Sequence, residues 1–105
     1  DNGFDVDKKG SEETALLIAT DRGNYASTTT LISNGASVDV YSYNFTSILC
    51  FAAKNGWEEM VEDLIKNGAD IHHKNQDNET PLHFALRESR VNVVKLLFKA
   101  ILAHD

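Results

Sequence analysis

The chain has 105 residues, 42% hydrophobic and 25% charged, with a formal charge of −6. That length fits one domain of ordinary globular composition. The acid surplus argues against nucleic acid, whose phosphates it would repel, and no apolar run reaches the roughly 18 residues of a membrane helix.

The opening stretch, Asp1-Asn2-Gly3-Phe4, has neither the basic nor the apolar part of a signal peptide, and the missing initiator Met points to a processed or excised piece. Acid is concentrated early: residues 1–41 carry three basic and seven acidic side chains, residues 75–105 four of each. The lone cysteine, Cys50, leaves no internal disulfide and favours a reducing compartment.

In chain order, Asn2-Gly3-Phe4-Asp5-Val6-Asp7 has the look of Asn34-Gly35-Ala36-Ser37-Val38-Asp39 and of Asn67-Gly68-Ala69-Asp70-Ile71-His72. It reads as a helix stop followed by an extended arm, with an insertion in the turn Lys8-Lys9-Gly10-Ser11. Thr14 reads as the N-cap of a helix over 15–22 that Gly23 ends. The next helix, over 25–33, contains Ser27-Thr28-Thr29-Thr30, which are mediocre helix formers. Their hydroxyls are expected to bond back to carbonyls of the preceding turn; the alternative is a helix weak without an upstream neighbour.

Residues 41–46, Tyr-Ser-Tyr-Asn-Phe-Thr, form a turn. Ser47 caps a helix over 48–55 that Gly56 ends, and Trp57 begins the next. There Met60, Val61, Leu64 and Ile65 make an apolar stripe at helical spacing, with Glu58, Glu59, Glu62 and Lys66 towards water. Gly68 stops that helix. Asp77-Asn78 reads as a turn that tolerates positive φ. Thr80-Pro81 then starts a helix, a hydroxyl cap followed by the residue that needs no N–H there. It is expected over 80–89. A last helix runs from Val91 to about Leu102, with no stop glycine to keep it from continuing towards His104.

A spacing of 33 binds these elements together. Thr80, Leu82 and Ala85 step back to Ser47, Leu49 and Ala52, then to Thr14, Leu16 and Ala19. Leu97 steps back to Leu64 and Leu31, and Gly56 to Gly23. Thr80-Pro81-Leu82-His83-Phe84-Ala85 resembles the T-P-L-H-x-A signature of the ankyrin repeat. The resemblance covers roughly the whole chain. It implies a mainly α solenoid of stacked helix-turn-helix units with short β-hairpin fingers. The implied divisions are 1–8 (end of a preceding repeat or an N-terminal arm), 9–41, 42–74 and 75–105. Phe45 departs from the family, which usually has glycine there, and Ser89 replaces the loop glycine. Ile101 and Leu102, if exposed, suit a further repeat or cap.

The resemblance also implies binding without catalysis, on the concave side, through finger tips and the exposed face of each first helix. Carried onto this sequence, the partner-binding positions are Tyr41, Tyr43, Asn44, Thr46, Lys54, Asn55, Lys74, Gln76, Asp77, Glu79, Arg87 and Glu88. The first repeat adds Ser11, Glu13, Asp21 and Arg22. Tyr41, Tyr43 and Phe45 stand out as alternating aromatics on one finger, the residue type that anchors interfaces; they could instead only stiffen the turn by packing on Trp57 or a neighbouring finger. The expected partner is a protein, with a basic surface to match the acid. No nucleic acid, membrane, cofactor or small-molecule substrate is indicated. The family implies an intracellular, cytoplasmic setting.

Nothing points to chemistry. Neither C-x-x-C nor H-E-x-x-H is present, and adjacent His72 and His73 on an extended arm point apart and cannot share an ion. By resemblance His83 is structural, its ring bonded to the Thr80 hydroxyl and nearby backbone. Cys50 and Leu17 hold the matching positions, so the same clasp is not expected there. Cys50 falls on a packed helix face and reads as core. Asn44-Phe45-Thr46 and Asn78-Glu79-Thr80 match glycosylation acceptors by coincidence with turns and caps. The main reading is a protein-interaction module. One alternative is a recruitment segment of a larger enzyme or host-directed effector; another is a self-associating structural piece.

Overall fold

The computed structural model describes the backbone of residues 8–104 and the side chains of residues 14–103. Six helices follow one another: α1 Lys8–Asp21, α2 Tyr25–Ser33, α3 Ile48–Asn55, α4 Glu58–Lys66, α5 Pro81–Arg87 and α6 Val91–His104. Each odd helix packs on the even helix after it. Across repeats α3 lies between α1 and α5, and α4 packs on α6. This is the helical solenoid that the resemblance implies.

Local chemistry sets the boundaries. The Asn24 side-chain oxygen accepts the Ser27 amide at 3.0 Å and caps α2. The Ser47 hydroxyl accepts the Cys50 amide at 3.3 Å and caps α3. At α5, Thr80 and Pro81 start the helix as expected, and Nδ1 of His83 accepts the Thr80 amide at 3.0 Å. The Thr80 hydroxyl lies 2.9 Å from the same nitrogen. A related but weaker clasp also exists one repeat earlier, where the Ser47 hydroxyl donates to Sγ of Cys50 at 3.4 Å.

The threonine run is accommodated by back-bonding. The Thr28 hydroxyl donates to the Asn24 carbonyl at 2.8 Å and that of Thr29 to the Ala26 carbonyl at 3.0 Å. Thr28 is fully buried beside Thr20, whose hydroxyl donates to the Leu16 carbonyl at 2.7 Å. Buried hydroxyls with partners cost little, which is why threonine can stand where the next repeat has Val61. Above them Tyr25 packs edge-on against Trp57, ring centroids 5.1 Å apart.

One expectation needs correction. Thr14 is not an N-cap, because α1 is already helical from Lys8. The stretch read as a turn with an insertion, Lys8-Lys9-Gly10-Ser11, is part of that helix. The fingers are barely β: among the described residues no strand forms, and the sole bridge pairs Tyr41 with Ser47. The opening arm, residues 1–7, lies outside the described residues.

The core is a continuous row. Leu16, Ile48, Leu49, Ala52, Ala53, Val61, Leu64, Ala85, Val93 and Leu97 are all essentially buried. Phe98 and Leu102, on α6, are exposed. The turns between paired helices require a left-handed residue. At Gly56 φ is 74°, and a Cβ there would stand 2.8 Å from Cδ of Arg90. Ser89 takes the same role at φ 57°. Ser89→Gly should raise stability by about 0.5–1 kcal/mol, since about 1–2 kcal/mol of left-handed strain outweighs glycine's added chain entropy. A urea midpoint below that of the wild type would contradict this.

Candidate functional site

The finger over residues 41–47 is braced from inside. The Ser42 amide donates to the Thr46 carbonyl at 3.0 Å and the Phe45 amide to the Ser42 carbonyl at 2.8 Å. Asn44 Oδ1 accepts both the Ser42 hydroxyl and the Thr46 hydroxyl. Phe45 sits at φ 65°, so the bulky residue does adopt the conformation for which the family uses glycine.

The next turn holds the finger from behind. Nδ2 of Asn75 donates to the Thr46 hydroxyl at 2.9 Å, and the Gln76 amide to the Asn44 carbonyl at 2.9 Å. Nε2 of His73 lies 2.7 Å from the Phe45 carbonyl. A carbonyl only accepts, so this nitrogen carries the proton.

On this frame the aromatics part company. Tyr43 is 98% exposed. Tyr41 is about one-third exposed; its hydroxyl donates to Asp39 at 2.8 Å and its ring lies against His73, centroids 4.7 Å apart. The Asp39 hydrogen bond, then burial, then the charges of Asp39 and Asp70 push the Tyr41 hydroxyl above its ordinary pKa. Phe45 is half exposed. Tyr41 therefore stiffens the arm, as the structural alternative expected, through His73 rather than Trp57. Tyr43 is left as the displayed ring.

The other expected contact residues fall into three groups. Lys74, Gln76, Asp77, Arg87 and Glu88 are exposed, as are Asp21 and Arg22 of the first repeat. Asn44, Lys54, Asn55 and Glu79 are half-buried and engaged within the stack. Lys54 pairs with Asp21 at 3.2 Å, and Nδ2 of Asn55 donates to the Thr20 carbonyl at 2.7 Å. Glu79 accepts from Asn75 and pairs with Arg87, and these two contacts hold its carboxyl below the usual range. Thr46 is the correction: only 3% exposed, it lies under Asn75 and offers a partner nothing. The side chains of Ser11 and Glu13 lie outside the described residues.

Sequence reasoning missed Asn75, which is 4% exposed and organises the turn behind the finger, and His73, which carries both Tyr41 and the Phe45 carbonyl. The position of Asn75 two residues before Asp77 is a local Asx-turn signal; its bond to Thr46, 29 residues away, has none. Cys50 is fully buried, and burial pushes its thiol pKa up, the opposite of an activated nucleophile. Among the described residues no group of three His, Cys, Asp or Glu could hold a metal ion, and no helix is long and apolar enough to cross a membrane.

Comparison with known proteins agrees with this architecture. A family profile of ankyrin repeats (three copies) matches residues 16–104. The chain is 35% identical to alpha-latrotoxin-Lh1a of Latrodectus hasselti over 77% of its own length and 6% of that protein's. It is 36% identical to a probable E3 ubiquitin-protein ligase, XBOS34, of Oryza sativa subsp. japonica over 88% of this chain and 18% of that one. It is 28% identical to the B-cell lymphoma 3 protein homolog of Mus musculus over 90% of this chain and 22% of that one. The chain thus spans less than a quarter of the length of each of these relatives.

Proposed function

The chain belongs to the ankyrin-repeat family, and we propose that it is a non-catalytic module that binds a partner protein on the concave side of the stack. Tyr43 is the anchor. The exposed Lys74, Gln76, Asp77, Arg87 and Glu88 would add polar contacts, and the acid surplus suits a partner with a basic surface.

The observation that carries this reading is a 98% exposed tyrosine on a backbone fixed by hydrogen bonds on both sides. A large apolar ring displayed in water has no stabilising role in the fold. On a preorganised loop it binds with little further loss of entropy. Being mostly ring, Tyr43 can fill a pocket while its hydroxyl keeps a hydrogen bond.

The test is affinity capture from cytosolic lysate with wild type and Tyr43→Ala, each first checked by circular dichroism. A protein retained by the wild type should bind Tyr43→Ala about tenfold less well, as for an interface anchor worth about 1–2 kcal/mol. Equal retention would move the site elsewhere on the stack. Tyr43→Ala is preferable to a variant at Tyr41, whose ring is engaged with His73 and Asp39.

A second reading is favoured by the small share of its relatives' length that the chain covers. In it, the module recruits a partner to an activity housed elsewhere in a longer protein. A catalytic motif in flanking sequence would select that reading. Both readings place the module inside the cell, where a lone thiol stays reduced.

A further inference from the structure

We propose that the hollow between the two finger arms receives a basic side chain of the partner protein, its alkyl stem on Leu49 and Leu64 and its charged head at the carboxylates of Asp39 and Asp70. This rests on the reading that the chain binds a protein, and adds the chemistry of one contact away from Tyr43.

The hollow has a volume of about 250 Å³. Leu49 and Leu64 make its apolar floor, and Tyr41 and His73, in ring contact, contribute its aromatic wall. Asp39 and Asp70 come to it from successive arms. Each carboxylate is oriented by the protein: Oδ1 of Asp39 accepts the Tyr41 hydroxyl at 2.8 Å, and Oδ1 of Asp70 accepts the His72 amide at 2.9 Å. Among the described residues neither pairs with a cation. Both carboxylates push the Tyr41 hydroxyl above its ordinary pKa.

That combination selects its occupant. An anion would meet two like charges. A neutral apolar group would leave two carboxylates facing it and strip their water. A lysine or arginine has a long apolar stem and a cationic head, which matches a floor of leucines below a rim of acid. The Tyr41 ring face adds a cation–π contact. Arginine makes the better first probe, because its planar fork presents several donors to carboxylate oxygens.

The experiment is an amide NMR titration of the full chain with Nα-acetyl-arginine methylamide, and with the uncharged citrulline analogue as comparison. Saturable shifts are expected at the amides of Asp39, Tyr41, Asp70 and His73 with the arginine probe and not with citrulline. Asp39→Asn/Asp70→Asn keeps both oriented oxygens and removes both charges. It should retain the dispersed spectrum and bind at least about tenfold more weakly, the loss of a charge-assisted contact. Absence of saturable shifts, equal shifts with citrulline, or undiminished binding by the double variant would each overturn the proposal. Should that happen while Tyr43→Ala still loses its partner, the protein-binding reading stands and only the basic side chain is withdrawn.

Discussion

Leu49→Ala is expected to remove about 2–5 kcal/mol of stability, the range for a buried leucine that leaves a cavity. Leu49 is 2% exposed on α3, the helix that touches both α1 and α5. A domain of this size holds on the order of 5–15 kcal/mol in total. In a stack each repeat is supported only by its neighbours. A fault in the middle repeat therefore weakens the interfaces on both sides, whereas a fault in an end repeat weakens one. The urea midpoint should fall steeply. Leu102→Ala, at a leucine 60% exposed on α6, is the matched control and should stay within about 0.5 kcal/mol of wild type. Similar midpoints for the two variants would mean that the repeat core is not what holds the stack together.

The five helices from Tyr25 onward were legible because their determinants are local and occur in series. A hydroxyl cap, at Ser47 and Thr80, a helical stripe and a left-handed stop recur at a spacing of 33, so each repeat corroborates the others. The same logic located the turns at Phe45, Asn78 and Ser89, all of which have positive φ. It failed at α1, where Thr14 was matched to Ser47 and Thr80 although the helix begins six residues earlier, at Lys8. Register says where a cap stands in related repeats, not whether the chain upstream has a reason to stop being helical.

The candidate site was legible only in part, for a different reason. Family positions identify which residues lie on a finger. They do not say which of those side chains bond to the neighbouring repeat. Thr46 and Tyr43 are three residues apart on one loop, yet one is buried and the other almost wholly in water. What separates them is a pair of hydrogen bonds spanning 28 and 29 residues, His73 to Phe45 and Asn75 to Thr46. No periodicity encodes those pairings: one uses a histidine ring on a backbone carbonyl, the other an asparagine amide on a hydroxyl.

Asn75→Ala is the substitution that should show this coupling most clearly, at a cost of about 2–4 kcal/mol from several broken bonds at once. Its Oδ1 accepts the amides of Asp77 and Glu79, each at 2.9 Å. Its Nδ2 donates to the Thr46 hydroxyl and to Oε1 of Glu79, each at 2.9 Å. Alanine leaves two backbone amides and a buried hydroxyl without these partners, and desolvated groups left unmade cost more than the bonds were worth. The finger then loses its rear support, and Tyr43 must be ordered at the moment of binding, which lowers affinity without any change in the contact itself. Asn75→Ala should therefore lower both the urea midpoint and partner affinity, while Tyr43→Ala lowers affinity alone. Hydrogen exchange separates the causes: the Phe45 and Gln76 amides should lose protection in Asn75→Ala before the helical amides of α3 do. Full finger protection combined with lost affinity would instead place Asn75 in contact with the partner, a role its burial argues against.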